Sequence, residues 1–166
     1  MLQLNLVALS RAGSLPIEGT LPVEGPDWDL DGLRFDQPPL VRGRAQALTG
    51  DDVLVRVDVA GEVVGECARC LAPVRTPVRS AFDLYYSAEA DEDDGEVRPL
   101  APEATTVDLV PALREELLLT LPTHLVCEEA CAGLCPKCGA NLNEARCDCS
   151  DEEIDPRWAA LRTLNE

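Results

Sequence analysis

The chain is 166 residues long, 46% apolar and 4% aromatic, with 14 Lys and Arg against 31 Asp and Glu, a formal net charge of −17. The apolar share is enough for a packed core and excludes wholesale disorder. The charge excludes a broad basic face for nucleic acid and docking on an anionic membrane, and favours basic partners.

The opening MLQLNLVALS lacks the basic start of a signal peptide, and Gln3 and Asn5 interrupt its apolar run. No stretch approaches the ~18 apolar residues of a membrane span. The expectation is a cytoplasmic protein with reduced thiols. Leu2, Leu4 and Leu6 alternate with Gln3 and Asn5, which predicts a half-buried strand over residues 1–10. Residues 13–39 hold five prolines and four glycines, a density that predicts an extended segment without regular elements. Alternation returns at Val41 to Thr49 and, after the turn residues Gly50-Asp51-Asp52, at Val53, Val55, Val57 and Val59, so residues 41–60 read as a hairpin.

A third strand pair is expected around Glu62 to Cys67 and Ala72 to Tyr86, with Cys67 and Cys70 at its tip. Val74, Thr76, Val78, Ser80, Phe82, Leu84 and Tyr86 fall on one side, Arg75, Arg79 and Asp83 on the other. Pro73 and Pro77 lack ladder donors, so this strand should begin at a sheet edge. Residues 87–106 carry Glu89, Asp91, Glu92, Asp93, Asp94, Glu96 and Glu103 and read as a solvated acidic loop. Asp108 is a capping residue for a helix with Pro111 in its first turn and Pro122 as its stop. Leu109, Leu113 and Leu117 form one row of that helix for packing on the sheet, with Val110, Leu118 and Leu121 beside it. Asp155-Pro156 predicts a short last helix carrying Trp158, Leu161 and Leu164.

The eight cysteines carry the most chemistry. They run Cys67-x2-Cys70, then Cys127-x3-Cys131-x3-Cys135-x2-Cys138-x8-Cys147-x-Cys149. Eight thiolates divide into two tetrahedral sets of four, the closed arrangement of structural zinc. Cys135-Pro136-Lys137-Cys138-Gly139 is the sharpest signal, because a glycine after the second Cys frees the chain to turn away. Cys147 and Cys149 close that site after a short loop, in the manner of a small zinc ribbon. Cys67-Ala68-Arg69-Cys70 is a looser knuckle with Leu71 in the glycine's place. Its missing ligands are expected from Cys127 and Cys131, with His124 as an alternative ligand. Disulfides need an oxidising compartment, and a thioredoxin-like pair leaves six cysteines unexplained. An iron–sulfur cluster is the competing assignment.

Nothing in the chain assembles a catalytic site. A catalytic zinc keeps an open position, whereas four thiolates close it. One His gives few ways to build a nucleophile and base, and no phosphate-binding Gly loop or dinucleotide fingerprint is present.

Glu66-Cys67-Ala68-Arg69-Cys70-Leu71, the helix from Asp108 to Leu121-Pro122, the run Cys131-Ala132-Gly133-Leu134-Cys135-Pro136-Lys137-Cys138-Gly139-Ala140-Asn141-Leu142-Asn143, Cys147-Asp148-Cys149 and Asp155-Pro156-Arg157-Trp158 follow one another in an order that resembles the YceD family of large ribosomal RNA subunit accumulation proteins. The resemblance implies a role in accumulation, processing or assembly of large-subunit ribosomal RNA, a process rather than a reaction. The −17 charge makes bare RNA a poor direct partner. Arg42, Arg44 and Arg56, or Arg69, Arg75 and Arg79, are the cations available for a local patch.

The sequence therefore predicts an α+β fold: a twisted, mainly antiparallel sheet, open or closed into a barrel, with one packed helix and a C-terminal four-cysteine zinc ribbon. Residues 1–122 are expected to form the β-rich domain and residues 123–166 the ribbon and last helix, docked as one unit. The expected function is a non-catalytic factor in ribosomal RNA accumulation or ribosome assembly. It would hold two zinc ions on Cys67, Cys70, Cys127, Cys131, Cys135, Cys138, Cys147 and Cys149. Its partner would be a basic large-subunit ribosomal protein or a pre-ribosomal particle, contacted through Asp91, Glu92, Asp93 and Asp94, with ribosomal RNA engaged indirectly. The alternatives are a zinc-ribbon nucleic-acid-binding module and an RNA-processing enzyme.

Overall fold

The longest alternating stretches of the sequence form the longest strands. The computed structural model describes residues 2–25, 28, 32–90, 97–101 and 103–149. Its elements are β1 (Gln3–Asn5), α1 (Leu6–Ala12), β2 (Ser14–Thr20), β3 (Arg34–Phe35), β4 (Leu40–Ala47), β5 (Val53–Glu66), β6 (Pro73–Ser87), β7 (Val97–Pro99), β8 (Thr106–Asp108) and α2 (Val110–Thr120). The strands make a six-stranded sheet in the order β2-β4-β5-β6-β7, with β3 beside the far end of β5, and a separate β1-β8 pair. All neighbours are antiparallel except β6 and β7.

The α+β class stands, with two corrections. The sheet does not close into a barrel, since its outer strands β2 and β7 do not pair with each other. The described residues hold two helices rather than one. The strand expected over residues 1–10 ends at Asn5, because the Asn5 Oδ1 accepts the Ala8 N–H at 2.8 Å and starts α1. Gly13, at φ 72°, ends that helix in a left-handed turn. Leu2 and Leu4 are buried as the alternation requires, and Leu9 of α1 joins them.

The segment 13–39 is not free of regular structure either. It contributes β2 and β3. Among the described residues β2 pairs only with β4, so every second N–H points away from the ladder and Pro16 costs no bond there. The acidic stretch 87–106 likewise contains β7, whose Arg98 reaches Glu115 at 2.8 Å and Glu116 at 2.9 Å on α2.

β4 and β5 pair antiparallel from Leu40↔Ala60 to Ala47↔Val53, the hairpin expected over residues 41–60, and β5 runs on to form with β6 a second, longer hairpin from Val53↔Tyr86 to Glu66↔Pro73. Val74, Val78, Phe82, Leu84 and Tyr86 are buried on its inner face. Pro73 and Pro77 face an open edge, as predicted, because β7 covers β6 only at Tyr85–Ser87. Leu109, the residue before α2, and Leu113 and Leu117 within it are fully buried in the same core. The Asp108 carboxylate accepts the Val110 N–H at 3.0 Å, so it caps the helix although Leu109 is the boundary residue.

Candidate metal centres

The tip of the β5–β6 hairpin positions Cys67 and Cys70. The Cys67 N–H donates to the Ala72 carbonyl at 2.8 Å and the Leu71 N–H to the Cys67 carbonyl at 2.9 Å, which folds the tip into a tight knuckle. Cys135 to Gly139 repeats this turn, with the Gly139 N–H donating to the Cys135 carbonyl at 2.9 Å. The residue after the second Cys is left-handed in both: Gly139 at φ 73° and Leu71 at φ 60°. Leu71 thus accepts a backbone conformation that disfavours it, and its side chain is 58% exposed.

The segment 125–134 wraps the first knuckle. Ala68 N–H donates to the Leu125 carbonyl at 2.8 Å, and Leu134 N–H to the Arg69 carbonyl at 3.0 Å. The Arg69 guanidinium reaches the carbonyls of Glu129 at 2.9 Å and Cys131 at 3.1 Å. These bonds bring Cys127 and Cys131 to Cys67 and Cys70. Sγ of Cys67 lies 3.9 Å from Sγ of Cys131, and that of Cys70 3.7 Å from Cys127. The second group is Cys135, Cys138, Cys147 and Cys149, closed by an antiparallel bridge between Leu134 and Asn141. Within each group the sulfurs lie within 4.8 Å of one another.

These spacings fit a single ion. Tetrahedral coordination with bonds of ~2.3 Å places sulfurs about 3.8 Å apart. The electrostatics point the same way. Backbone N–H groups, that of Cys127 foremost, draw the Cys67 thiol down to about 6, and those of Cys138 and Lys137 draw Cys135 down to about 6. Their neighbours resist ionising. Cys127 is pushed up to about 12 by the Cys131 sulfur and by desolvation, and Cys149 to about 12 by Cys138 and by desolvation. Four sulfurs this close shed all their protons only around a cation. Each group could therefore hold a metal ion, with every ligand position filled by protein.

All eight predicted cysteines fall into these two groups. His124 belongs to neither; its Nδ1 lies 3.1 Å from Thr123 Oγ1. Asp91, Glu92, Asp93, Asp94 and the helix expected from Asp155 lie outside the described residues. Of the candidate arginines, Arg42 pairs with Glu18 at 3.2 Å and Arg56 with Asp83 at 3.3 Å, while Arg75 pairs with Asp36 at 2.7 Å and Glu62 at 2.8 Å. Two supporting residues went unassigned in the sequence: Arg69, as a clamp on segment 129–131, and Asn143, whose amide touches Cys131. Asn143 carries a faint signal, since a loop between ligand pairs that holds two asparagines, Asn141 and Asn143, is rich in backbone-mimicking amides.

An open, mostly antiparallel sheet whose longest hairpin ends in a four-cysteine group, with a second such group beside it, defines the class: an α+β protein with two closed all-thiolate sites. The family described as large ribosomal RNA subunit accumulation protein YceD matches residues 55–165, and the chain belongs to it. An uncharacterized protein of Mycobacterium tuberculosis is 41% identical over 116 residues, covering 67% of this chain and 55% of its own length. The chain thus spans little more than half of that relative. The chloroplastic large ribosomal RNA subunit accumulation protein YCED homolog 1 of Arabidopsis thaliana is 40% identical over 108 residues, 57% of this chain and 33% of its own. The uncharacterized protein YlbN of Bacillus subtilis is 28% identical over 137 residues, 80% of this chain and 77% of its own. No solved structure matches. Among the described residues no helix is long and apolar enough to cross a membrane.

Proposed function

We propose that this protein is a non-catalytic, cytoplasmic factor in the accumulation of large-subunit ribosomal RNA, acting in processing or assembly through a basic ribosomal protein. Its two four-cysteine groups hold zinc as structural ions. The observation that carries the reading is the pair of closed four-thiolate groups in a chain of this family. A closed site leaves no position for a water or substrate, so its metal orders the chain rather than activating a nucleophile. An iron–sulfur cluster interposes inorganic sulfide and spreads its cysteines further than the 3.7 and 3.9 Å seen in the first group.

The charge supports a protein partner over bare RNA. The chain carries −17, each zinc–thiolate site makes it more anionic, and Arg42, Arg56 and Arg75 are already paired with carboxylates. The acidic run Asp91 to Asp94 is the proposed contact. Attraction between opposite net charges speeds association and is screened by salt, the Debye length falling from ~10 Å at 0.1 M to ~3 Å at 1 M. The test is a pull-down of purified large-subunit proteins followed by binding kinetics at low and high salt. A retained basic protein whose on-rate falls with salt and with Asp91, Glu92, Asp93 and Asp94 changed to Asn or Gln is the expected result. Tight binding of ribosomal RNA with no ribosomal protein retained overturns the partner assignment.

A further inference from the structure

The two four-cysteine groups are joined by one side chain. Asn143 lies in the loop that links Cys138 to Cys147, so its position is set by the second group. Its amide nevertheless faces the first. The Asn143 Oδ1 accepts the Ala132 N–H at 2.7 Å, and its Nδ2 donates to the Cys131 Sγ at 3.3 Å and to the Asn141 Oδ1 at 2.8 Å. The Ala132 N–H can only donate, which fixes the amide's orientation: oxygen toward Ala132, nitrogen toward sulfur. The loop is pinned in this place by two backbone bonds on the N-terminal side of Asn143. Leu142 N–H donates to the Gly133 carbonyl at 2.9 Å and Cys135 N–H to the Ala140 carbonyl at 2.8 Å. Asn141 in turn donates from Nδ2 to Glu144 Oε1 at 2.8 Å and accepts the Asn143 N–H at 3.1 Å.

We infer that Asn143 is a positioning residue that couples the two metal sites: an ion on Cys135, Cys138, Cys147 and Cys149 fixes the loop that presents the Asn143 amide to the Cys131 thiolate of the other site. The inference rests on the reading that both groups hold a metal. Without an ion in the second site, nothing cross-links Cys138 to Cys147, and the loop between them is held only by the hydrogen bonds within it and by those to residues 131–135. Ordering it in advance removes that cost from binding at the first site and leaves the Asn143 amide already in place 3.3 Å from the Cys131 sulfur, where it orients that ligand. Hydrogen bonds to metal ligands commonly change affinity by roughly 10–100-fold. Because coupling of equilibria is reciprocal, an ion in the first site strengthens the second by the same factor.

Two substitutions separate this role from simple packing. Asn143→Asp keeps an oxygen for the Ala132 N–H but replaces the donor facing Cys131 with an acceptor. Cys138→Ser disables the second site and leaves Asn143 untouched. Zinc affinity of the first site is measured by chelator competition in the full reduced chain, for each variant and the pair together. Cadmium NMR identifies the first site as the resonance that survives Cys138→Ser. Each single variant is expected to weaken the first site by roughly 10–100-fold, and the double variant no more than either alone. The surviving cadmium resonance should also move in Asn143→Asp, because one sulfur loses its hydrogen bond. A first-site affinity within about twofold of the parent in Cys138→Ser, or effects that multiply in the double variant, overturns the coupling. If Asn143→Asp does not fold, Cys138→Ser alone still decides whether loading at one site reaches the other. A chain that binds fewer than two ions overturns the metal reading and the coupling with it. A chain that binds two ions independently overturns the coupling alone.

Discussion

Among the described residues, the buried Tyr86 hydroxyl has no hydrogen-bond partner. Desolvation, the largest influence, pushes its phenol up from 10 to about 12. Below pH 10 the phenol is neutral in both folded and unfolded chains. Above it the unfolded chain ionises first, so stability falls as pH rises through the window from 10 to about 12. Tyr86→Phe gives up no bond. It should leave stability at neutral pH unchanged or raise it by about 1 kcal/mol, and should remove this part of the alkaline loss. Denaturant melts of the two proteins at neutral pH and within the window measure the difference directly, since the cysteines titrate alike in both. A loss of stability at neutral pH would mean that the hydroxyl has a partner.

At Gly43 the paired strands β4 and β5 leave no room for a side chain. A Cβ there would meet the Arg56 carbonyl oxygen and, at 2.6 Å, the Val57 Cα, both backbone atoms that cannot rotate away. Gly43→Ala should therefore force the central strands apart and cost at least ~2 kcal/mol, read as a lowered midpoint in thermal or urea unfolding. The sequence did not reveal this, because a strand glycine says only that something comes near, not what. Strong alternation was readable: Val53, Val55, Val57 and Val59, and Val74, Val78, Phe82, Leu84 and Tyr86, are buried as their period assigns, although Thr76 and Ser80 of that face are only half-buried and Leu54 of the opposite face is buried too. The Leu109-Leu113-Leu117 row was readable for the same reason. Two misreadings share a cause. Asn5 ends a strand by capping a helix, and Pro16 sits in a strand because that strand is an edge. In both, a residue's meaning depends on which neighbour the chain meets later, which local periodicity does not contain.

At the scale of the molecule the two four-cysteine groups differ in what they tie together. Cys70 and Cys127 are 57 positions apart, and their group joins the β5–β6 hairpin to segment 125–134. Cys135 to Cys149 close a single local loop. Their grouping was legible in the spacing because cysteines with two residues between them, Cys67 and Cys70 or Cys135 and Cys138, form knuckles. The supporting bonds from Arg69 and Asn143 were not, since these depend on how two distant segments lie against each other. Loss of a long-range cross-link releases more chain entropy than loss of a local one. Cys70→Ser should accordingly lower the melting temperature of the whole sheet, whereas Cys138→Ser should loosen residues 127–149 and leave the sheet folded. Equal damage from both would contradict the division of labour. Zinc in both four-cysteine groups is the premise shared by the proposed function and the coupling, and the most direct measurement of it is elemental analysis of the chain purified under reducing conditions. It should contain close to two zinc ions per molecule and no iron; a single zinc, or iron with visible absorbance, would contradict it.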